Sequence, residues 1–211
     1  MSFHRTCKTL LFIFAGFLFS IAVNAQEKSF KAGFFAGLNT SQITGDNLSG
    51  YNQFGITAGI FVSRKVGKRS AITMEMGYLP KGSRKNLNVN DSIPTLYFLR
   101  LHYVEIPLMF QYMLTSKVQL EAGISTGVLL GHYEEDIFGE LMGDNAPVQQ
   151  FKRLDISFNP GVSYLFNEKW SFNLRNANSI FPVRDHDQGT KFRLNRGQYT
   201  SCIMGRFVYR F

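Results

Sequence analysis

Cysteine is nearly absent from this chain, which has two cysteines among 211 residues. Cys7 lies before an N-terminal apolar run, so Cys202 is the single cysteine in the rest of the sequence and no disulfide can form within that part. This part must therefore be stabilised in a different way from small disulfide-bonded domains. Beyond residue 25, no apolar stretch is long enough to cross a bilayer as a helix, which excludes a helical membrane protein.

The sequence also lacks the usual signatures of metalloproteins and nucleotide-binding proteins. It has no phosphate-binding glycine loop, no zinc-type cysteine spacing and no dinucleotide motif. Histidines and acidic residues cluster in two predicted outer loops, but their spacing matches no metal site, and we interpret them as solvated loop charge. These residues are His132, Glu134, Glu135, Asp136, Asp185, His186 and Asp187. We expect no metal and no cofactor.

An esterase-like triad could be assembled from His102, Glu105 and a nearby serine. No motif identifies the serine, and Glu105 is better explained as part of a structural charge network. We therefore expect that the protein is not an enzyme. The alternative, a lipid-modifying membrane enzyme, predicts that one His or Ser substitution abolishes activity while the fold stays intact.

The N-terminus has the three-part layout of a secretory signal peptide. A short basic segment with Arg5 and Lys8 is followed by the apolar run Leu10 to Val23 and by Val23-Asn24-Ala25, which suits cleavage before Gln26. We predict a signal peptide over residues 1–25 and one domain over residues 26–211. Removing Arg5 and Lys8 lowers the formal charge from +8 to +6. The positive net charge alone would suit a nucleic-acid partner, but export of the protein argues against that partner.

The last segment, Tyr199 to Phe211, alternates between a mostly apolar row and a row that carries Arg206 and Arg210. This period of two is typical of a β-strand, and an aromatic outer row fits a strand of a membrane barrel. Seven further segments alternate in the same way. They are Phe30–Thr40, Asn52–Ser63, Ala71–Leu79, His102–Leu114, Val118–Leu130, Leu154–Phe166 and Trp170–Ile180. Pro160 in the sixth lacks a backbone donor and is discordant with a regular strand.

The connections between these eight segments alternate between long and short, as in barrels with short periplasmic turns and long outer loops. The short turns are 64–69, 115–117 and 167–169, and the long connections are Ser41 to Tyr51, Pro80 to Leu101, Gly131 to Arg153 and Phe181 to Gln198. The sequence therefore predicts an all-β fold, an eight-stranded antiparallel up-and-down transmembrane β-barrel, in the outer membrane. A soluble sandwich has no reason to alternate its loop lengths so regularly.

The two faces of the predicted strands differ in chemistry. One row is apolar and is predicted to face lipid; it includes Ile56, Ile60, Met74, Ile106, Leu108, Leu120, Ile124, Val162, Phe172 and Phe207. The other row contains glycines, which make room, and charged residues that must be paired inside so narrow a barrel. We predict an interior charge network of Glu75, Glu105, Glu121, Asp155, Arg175 and Arg206, with Lys31 and Arg210 nearer one rim.

Cations are also frequent in the predicted outer loops. We expect them to face the phosphates of lipopolysaccharide and to neutralise them. They are Lys81, Arg84, Lys85, Arg184, Lys191, Arg193 and Arg196.

Tyr103-Val104-Glu105-Ile106-Pro107-Leu108 resembles the Y-x-E-I-P-L strand typical of PorT-like outer-membrane β-barrel proteins. The segments Asn24–Gln26, Ala32–Asn39 and Met76–Gly82 are similar to that family as well. The resemblance implies an outer-membrane barrel of a Gram-negative bacterium, and it implies that the aromatic Phe211 is an assembly signal for the barrel-assembly machinery. It implies no single activity, since the family takes its name from a member linked to protein secretion.

From these observations we expect a monomeric, plugged barrel with a structural or binding role at the cell surface, or an accessory role in a secretion or assembly complex. Its expected partners are outer-membrane lipids, lipopolysaccharide, the assembly machinery and secretion-complex proteins, with no nucleic acid. One alternative is a narrow pore, which requires the charge network to rearrange. Another is a soluble, lipocalin-like barrel with the apolar rows inside around a small apolar ligand.

Overall fold

The computed structural model describes residues 30–46, 48, 50–85, 96–141, 150–185 and 197–211. The predicted signal peptide, 1–25, lies outside these residues. A compact unit spans Lys31–Phe211. The strands are β1 (Phe30–Thr44), β2 (Gln53–Lys65), β3 (Ser70–Lys85), β4 (Tyr97–Met113), β5 (Val118–Asp136), β6 (Gly139–Glu140), β7 (Leu154–Phe158), β8 (Gly161–Leu165), β9 (Trp170–Ser179) and β10 (Tyr199–Arg210). In the described ranges, no helix is long and apolar enough to cross a membrane.

The strands form one antiparallel sheet that closes on itself. The order runs from β1 through β2, β3, β4 and β5 to β7 and β8, then to β9 and β10, and β10 pairs with β1. At the closing seam, Gly33 pairs with Arg210 at one end and Thr44 pairs with Tyr199 at the other. The all-β antiparallel fold predicted from the alternation is therefore present, and the ring gives each strand face a defined inside and outside.

Strands β7 and β8 occupy a single position in this ring. On β5, Ile124 pairs with Phe158 of β7 and Glu121 pairs with Gly161 of β8, so one register runs through both. The interruption falls at Pro160, which has no N–H to donate, although its carbonyl still accepts the N–H of Asn176 at 2.9 Å. The short β6 pairs with β5 alone. The ring of described strands thus has eight positions, one for each alternating segment of the sequence.

The outer ends of the strands reach further than the sequence predicted. The segments expected to be loops after Thr40, after Leu79 and after Leu130 continue as strand to Thr44, Lys85 and Asp136. Strand β4 likewise begins at Tyr97 instead of His102. The loop predictions were wrong there because polar residues interrupt the apolar alternation, whereas backbone pairing between β3, β4 and β5 continues without it.

A β-bulge changes which side chains of β5 point inward. Tyr103 pairs with Leu129, but His102 pairs with Gly131, so Leu130 is an extra residue on β5. Because the side-chain period of a strand is two, one extra residue exchanges the two faces beyond it. On β5, odd-numbered residues face inward before Leu130, whereas after it the even-numbered Glu134 is buried.

The outer half of β3 pairs with the backbone of β4 on one side and is held by side chains of β1 on the other. The backbone ladder between β2 and β3 ends at Ala58 and Tyr78, although both strands continue outward. Beyond that point, Asn39 Nδ2 donates to the carbonyl of Pro80 at 2.7 Å, and Ser41 Oγ donates to the carbonyl of Gly82 at 3.2 Å. Pro80 is therefore accommodated within a strand, and the residue after it is directed into the interior.

Apolar side chains cover the outside of the ring, and the inside holds polar and charged side chains together with apolar clusters. The structure exposes all residues predicted to face lipid except Phe172. Phe172 is half-buried because its ring packs edge-on against Phe207, with the centroids 5.2 Å apart. Towards the chain terminus, Phe34, Trp170, Tyr209 and the exposed Phe211 form an aromatic cluster on the same outer face. Such aromatic rows are typical of the boundary between lipid and water.

Candidate functional site in the charged interior

The lower charge network consists of Glu75, Glu121, Arg175 and Arg206, which four different strands direct into the ring. Arg175 binds Glu75 through both terminal nitrogens, at 2.9 and 2.8 Å, and its Nε donates to Glu121 Oε1 at 2.7 Å. Arg206 Nη1 donates to Glu75 Oε2 at 2.9 Å. All four are at most 5% exposed. Two carboxylates and two guanidinium groups balance in charge, as buried ions require.

Amide side chains satisfy the remaining donors and acceptors of this network. Asn173 Oδ1 accepts from Arg206 Nε at 2.9 Å, and Asn173 Nδ2 donates to Glu121 Oε1 at 2.8 Å. Gln111 donates to the other oxygen of Glu121 at 3.3 Å, and it accepts a hydrogen bond from Thr73 at 2.9 Å. A network in which every member is paired is rigid, because any rearrangement leaves a buried polar group without a partner.

Two glycines make room for an aromatic ring beside the lower charge network. Gly59 and Gly77 pair across β2 and β3, and the Phe35 ring lies against both of them. The guanidinium of Arg206 lies over this ring, 4.4 Å from its centroid. A Cβ at position 77 would come within 2.7 Å of Phe35 Cζ and within 2.9 Å of the Ala58 carbonyl oxygen. The pair of glycines is therefore a packing requirement of the interior.

We expect Gly77→Ala to destabilise the folded protein by about 1–3 kcal/mol, the usual cost of overpacking a filled interior. The added methyl group displaces Phe35 and, with it, Arg206. Urea unfolding in lipid vesicles measures the effect. Gly67→Ala is the matched control, since a Cβ there meets nothing closer than 3.7 Å. Equal stabilities of the two variants would contradict the packing role of Gly77.

The upper triad of Lys81, Glu105 and Asp155 lies further towards the outer end. Lys81 Nζ is 2.6 Å from Glu105 Oε1 and 2.8 Å from Asp155 Oδ2, and Lys81 is fully buried. Ser157 and Thr200 add hydrogen bonds to Asp155. The prediction that Lys81 lies in an outer loop facing lipopolysaccharide was wrong. Because β3 continues past Pro80, Lys81 reaches across the interior and pairs with two carboxylates.

The six residues predicted as one interior network thus fall into two groups. Glu75, Glu121, Arg175 and Arg206 form the lower charge network, while Glu105 and Asp155 belong to the triad with Lys81. The space beside Arg175, Glu75 and Glu105 amounts to about 20 Å³. This is room for about one water molecule.

Apolar layers surround the upper triad. Ile43, Leu99, Leu101 and Tyr103 form a buried cluster, and the Tyr103 ring lies 5.3 Å from Lys81 Nζ. A second buried cluster consists of Leu79, Ala177, Cys202 and Met204. Cys202 is a free, buried thiol in this packing. The first cluster lies between the triad and the outer mouth of the ring, whereas Leu79 and Met204 of the second line the space beside Arg175, Glu75 and Glu105.

An outer clamp of Arg184, Glu134 and Tyr97 closes that mouth. Arg184 Nη2 is 2.8 Å from both oxygens of Glu134, and Tyr97 Oη donates to Glu134 Oε1 at 2.5 Å. The guanidinium of Arg184 also stacks on Phe151, 3.8 Å from the ring centroid. The pKa of Tyr97 is raised well above its usual value, first because burial disfavours the phenolate and then because the phenol donates to Glu134. Tyr97 therefore remains a hydrogen-bond donor.

The predictions of Glu134 as solvated loop charge and of Arg184 as a cation facing lipopolysaccharide were wrong. Glu134 is 5% and Arg184 is 6% exposed, and the two form an ion pair at 2.8 Å. The bulge at Leu130 turns Glu134 inward, and backbone hydrogen bonds of Val183 with Lys152 and Gln198 hold the segment of Arg184 in place.

Other charged residues of the predicted loops remain near the surface. Arg84 is exposed and Lys85 is half-buried at the end of β3. Asp185 pairs with Lys152 at 2.7 Å, with both side chains about half exposed. Lys31 is exposed, and Arg210 reaches Gln119 Oε1 at 3.4 Å near the lower rim.

The predictions for His186, Asp187, Lys191, Arg193 and Arg196 concern residues outside the described ranges. Nowhere in the described part of the chain do His, Cys, Asp and Glu form a group that could hold a metal ion.

Comparisons with known proteins agree with this architecture. The family model described as outer membrane protein beta-barrel domain matches residues 24–184. The crystal structure of Ail, the attachment invasion locus protein of Yersinia pestis, is similar with a TM-score of 0.51 at 9% identity, over 87% of this chain and 99% of that one. Neisserial surface protein A has a TM-score of 0.46 at 10% identity, over 86% of this chain and 97% of that one. The outer membrane protein OprG from Pseudomonas aeruginosa has a TM-score of 0.39 at 12% identity, over 86% of this chain and 94% of that one. No curated protein matches the sequence. The likeness to Ail supports the fold alone.

Proposed function

Because this chain belongs to the outer membrane protein beta-barrel domain family, we propose that it is a closed eight-stranded barrel that spans the outer membrane and acts through the surface it presents outside. Its role is structural or in binding at the cell surface, or accessory to a secretion or assembly complex, as the resemblance to PorT-like proteins suggests. The protein is monomeric and passes no solute through its interior.

The observation that supports this proposal is the reversed polarity of the ring. The inside holds buried ion pairs, whereas Ile56, Leu108 and Ile124 on the outside are more than half exposed. A soluble lipocalin-like barrel needs the opposite arrangement, with apolar side chains around a ligand cavity. An exposed apolar belt of this extent is stable in a bilayer, where alternate residues of each strand face lipid.

The interior favours a closed barrel over a narrow pore. The lower charge network with the adjoining Leu79 and Met204, the upper triad, the apolar cluster around Leu101 and the outer clamp follow one another along the axis of the ring. An ion that crossed would have to displace guanidinium groups that each make several charged hydrogen bonds. Opening a path through the barrel would therefore cost free energy at each of these charged groups.

Conductance in planar lipid bilayers tests this closure. We expect the purified, refolded protein to give no more current than a protein-free bilayer, and a larger barrel from the same preparation serves as a positive control for insertion. Heating a parallel sample and comparing its gel mobility confirms that folded barrel was present. Discrete conductance steps that scale with protein concentration would favour the narrow pore instead.

We propose that the protein has no catalytic activity. The triad considered from the sequence cannot form, because His102 and Glu105 point to opposite faces of β4. His102 Nδ1 is hydrogen-bonded to Tyr78 Oη on the outside, while Glu105 pairs with Lys81 on the inside. Substitution of His102 is expected to leave the interior unchanged.

The proposed partners follow from the surface of the barrel. Arg84 and Arg100 flank the Phe98 ring, at 6.0 and 5.2 Å from its centroid, and these cations would face lipopolysaccharide phosphates at the outer boundary. Phe211 is 75% exposed at the end of the closing strand, where the assembly machinery would recognise it. Secretion-complex proteins would contact the outer ends of the strands.

A further inference from the structure

The hairpin between β5 and β6 carries the most exposed large apolar side chain among the described residues. Phe138 is 95% exposed and Ile137 is 50% exposed, and these two residues form the turn. Single exposed apolar residues are ordinary. Two adjacent ones at the tip of an outer hairpin are different, because lipid contact does not account for them.

The turn itself does not require these two side chains. Asp136 Oδ1 accepts the backbone N–H of Phe138 at 2.8 Å, and Gly139 supplies a positive φ of 117°. Asp and Gly are the residues that such turns favour, whereas the central positions ordinarily carry small or polar residues. The turn would form as well with polar residues at 137 and 138, so their apolar side chains need another explanation.

The base of the hairpin is rigid. Glu134 is fixed by Arg184 and Tyr97, and its carbonyl accepts the N–H of Leu141 at 2.9 Å. Tyr133 Oη donates to Glu135 Oε2 at 2.8 Å. The apolar tip is therefore held in one orientation before any contact, which reduces the entropy lost on binding.

The hairpin is acidic in a basic protein. Glu135, Asp136 and Glu140 surround the apolar tip, while the whole chain has a formal charge of +8. The outer leaflet is rich in phosphates, so these carboxylates are repelled from the membrane surface. At about 3.3 Å per residue and a tilt of about 40°, the tip stands roughly 10 Å beyond Tyr133, the last aromatic residue of the outward row on β5.

We propose that the Ile137–Phe138 tip is a docking element for a partner protein that offers an apolar pocket rimmed by lysine or arginine. The two side chains would fill the pocket, and Glu135 and Glu140 would pair with its rim, which gives specificity and speeds association. This inference rests on the proposed outer-membrane function and names the chemistry of its partner. Contact of the same tip with lipid is disfavoured by the three carboxylates.

Photocrosslinking in intact cells tests the docking element. The probe is p-benzoylphenylalanine in place of Phe138, with the same probe at Glu168 in a short turn as the matched control. We expect a discrete protein adduct at position 138 and none at position 168. Peptide sequencing of the adduct should place the crosslink in an apolar segment flanked by lysine or arginine.

The charged rim gives a second readout. Glu140→Lys should lower the adduct yield by roughly threefold to tenfold, since rim charges change association. Glu135 is left intact because it accepts a hydrogen bond from Tyr133 at the base of the hairpin. Asp136 is left intact because it builds the turn. A crosslink to lipopolysaccharide, no adduct, or an adduct unaffected by the charge reversal would each overturn the inference.

Heat-dependent gel mobility of the same samples shows separately whether the barrel is folded. A mobility shift without an adduct overturns the docking element alone, and a missing shift overturns the proposed function.

Discussion

Replacing Arg175 with leucine is expected to destabilise the folded protein by about 3–5 kcal/mol, because removal of one partner leaves a buried charge unpaired. Arg175 is 2% exposed and binds both Glu75 and Glu121. Its loss leaves the lower charge network with two carboxylates and only Arg206. The measurement is the free energy of unfolding by urea in lipid vesicles, followed by tryptophan fluorescence of Trp170.

Two further variants make this prediction specific. Adding Glu121→Gln to Arg175→Leu restores neutrality, keeps an acceptor for Asn173 and leaves the Glu75–Arg206 pair, so the double variant should recover roughly 1–3 kcal/mol. Arg69→Leu, in an exposed short turn, should change stability by no more than about 0.5 kcal/mol. If the double variant were less stable than Arg175→Leu, charge balance would not be what holds the interior together.

Ile124→Arg is expected to destabilise the barrel by about 2–4 kcal/mol, since it places a cation at the bilayer midplane. Ile124 lies near the middle of the outward row of β5 and is 54% exposed. If that surface faced water instead, an arginine there would cost no more than about 0.5 kcal/mol. The fraction of folded protein in isolated outer membranes and the unfolding free energy in vesicles both measure the effect.

The matched control introduces the same side chain outside the proposed lipid belt. Glu168→Arg, in the exposed turn between β8 and β9, should leave assembly and stability unchanged. Equal tolerance of Ile124→Arg and Glu168→Arg would remove the basis for placing β5 in a bilayer.

The alternation of side chains was sufficient to predict the strands and their two faces. Every second residue in Val118–Leu130 except Thr126 is apolar, and that local pattern places Glu121 and Ile124 on opposite faces without knowledge of any partner strand. Pro160 was recognised as discordant, and the strand is indeed interrupted there. These features depend on neighbouring residues in the sequence, so a single sequence contains them.

The inward positions of side chains at the outer end of the ring could not be predicted, because they depend on pairing between strands that are distant in the sequence. Lys81 stands between Pro80 and Gly82, a combination typical of turns, but backbone pairing with β4 and side-chain hydrogen bonds from Asn39 and Ser41 keep that segment in the wall. Glu134 faces inward because of a bulge at Leu130 that no local signal marks. The strand parity of Lys81, continued past Pro80, was the one signal that could have placed it inside.

The division of the charged residues into two groups was equally inaccessible. Glu105 and Glu121 look alike in the sequence, since each follows the alternation of its own strand. Which cation each one meets is decided by register around the ring, where Arg175 reaches Glu121 and Lys81 reaches Glu105. Register is set by turns, bulges and the closing seam together.

The central claim is that this chain forms a stable barrel in the outer membrane with its charges inside and its apolar rows in lipid. Gel mobility of the protein from isolated outer membranes, run unheated and boiled, tests it most directly. The account predicts that the protein is found in that fraction and that boiling changes its mobility. A soluble periplasmic protein with the same mobility before and after boiling would contradict it, and the apolar rows would then have to line a ligand cavity.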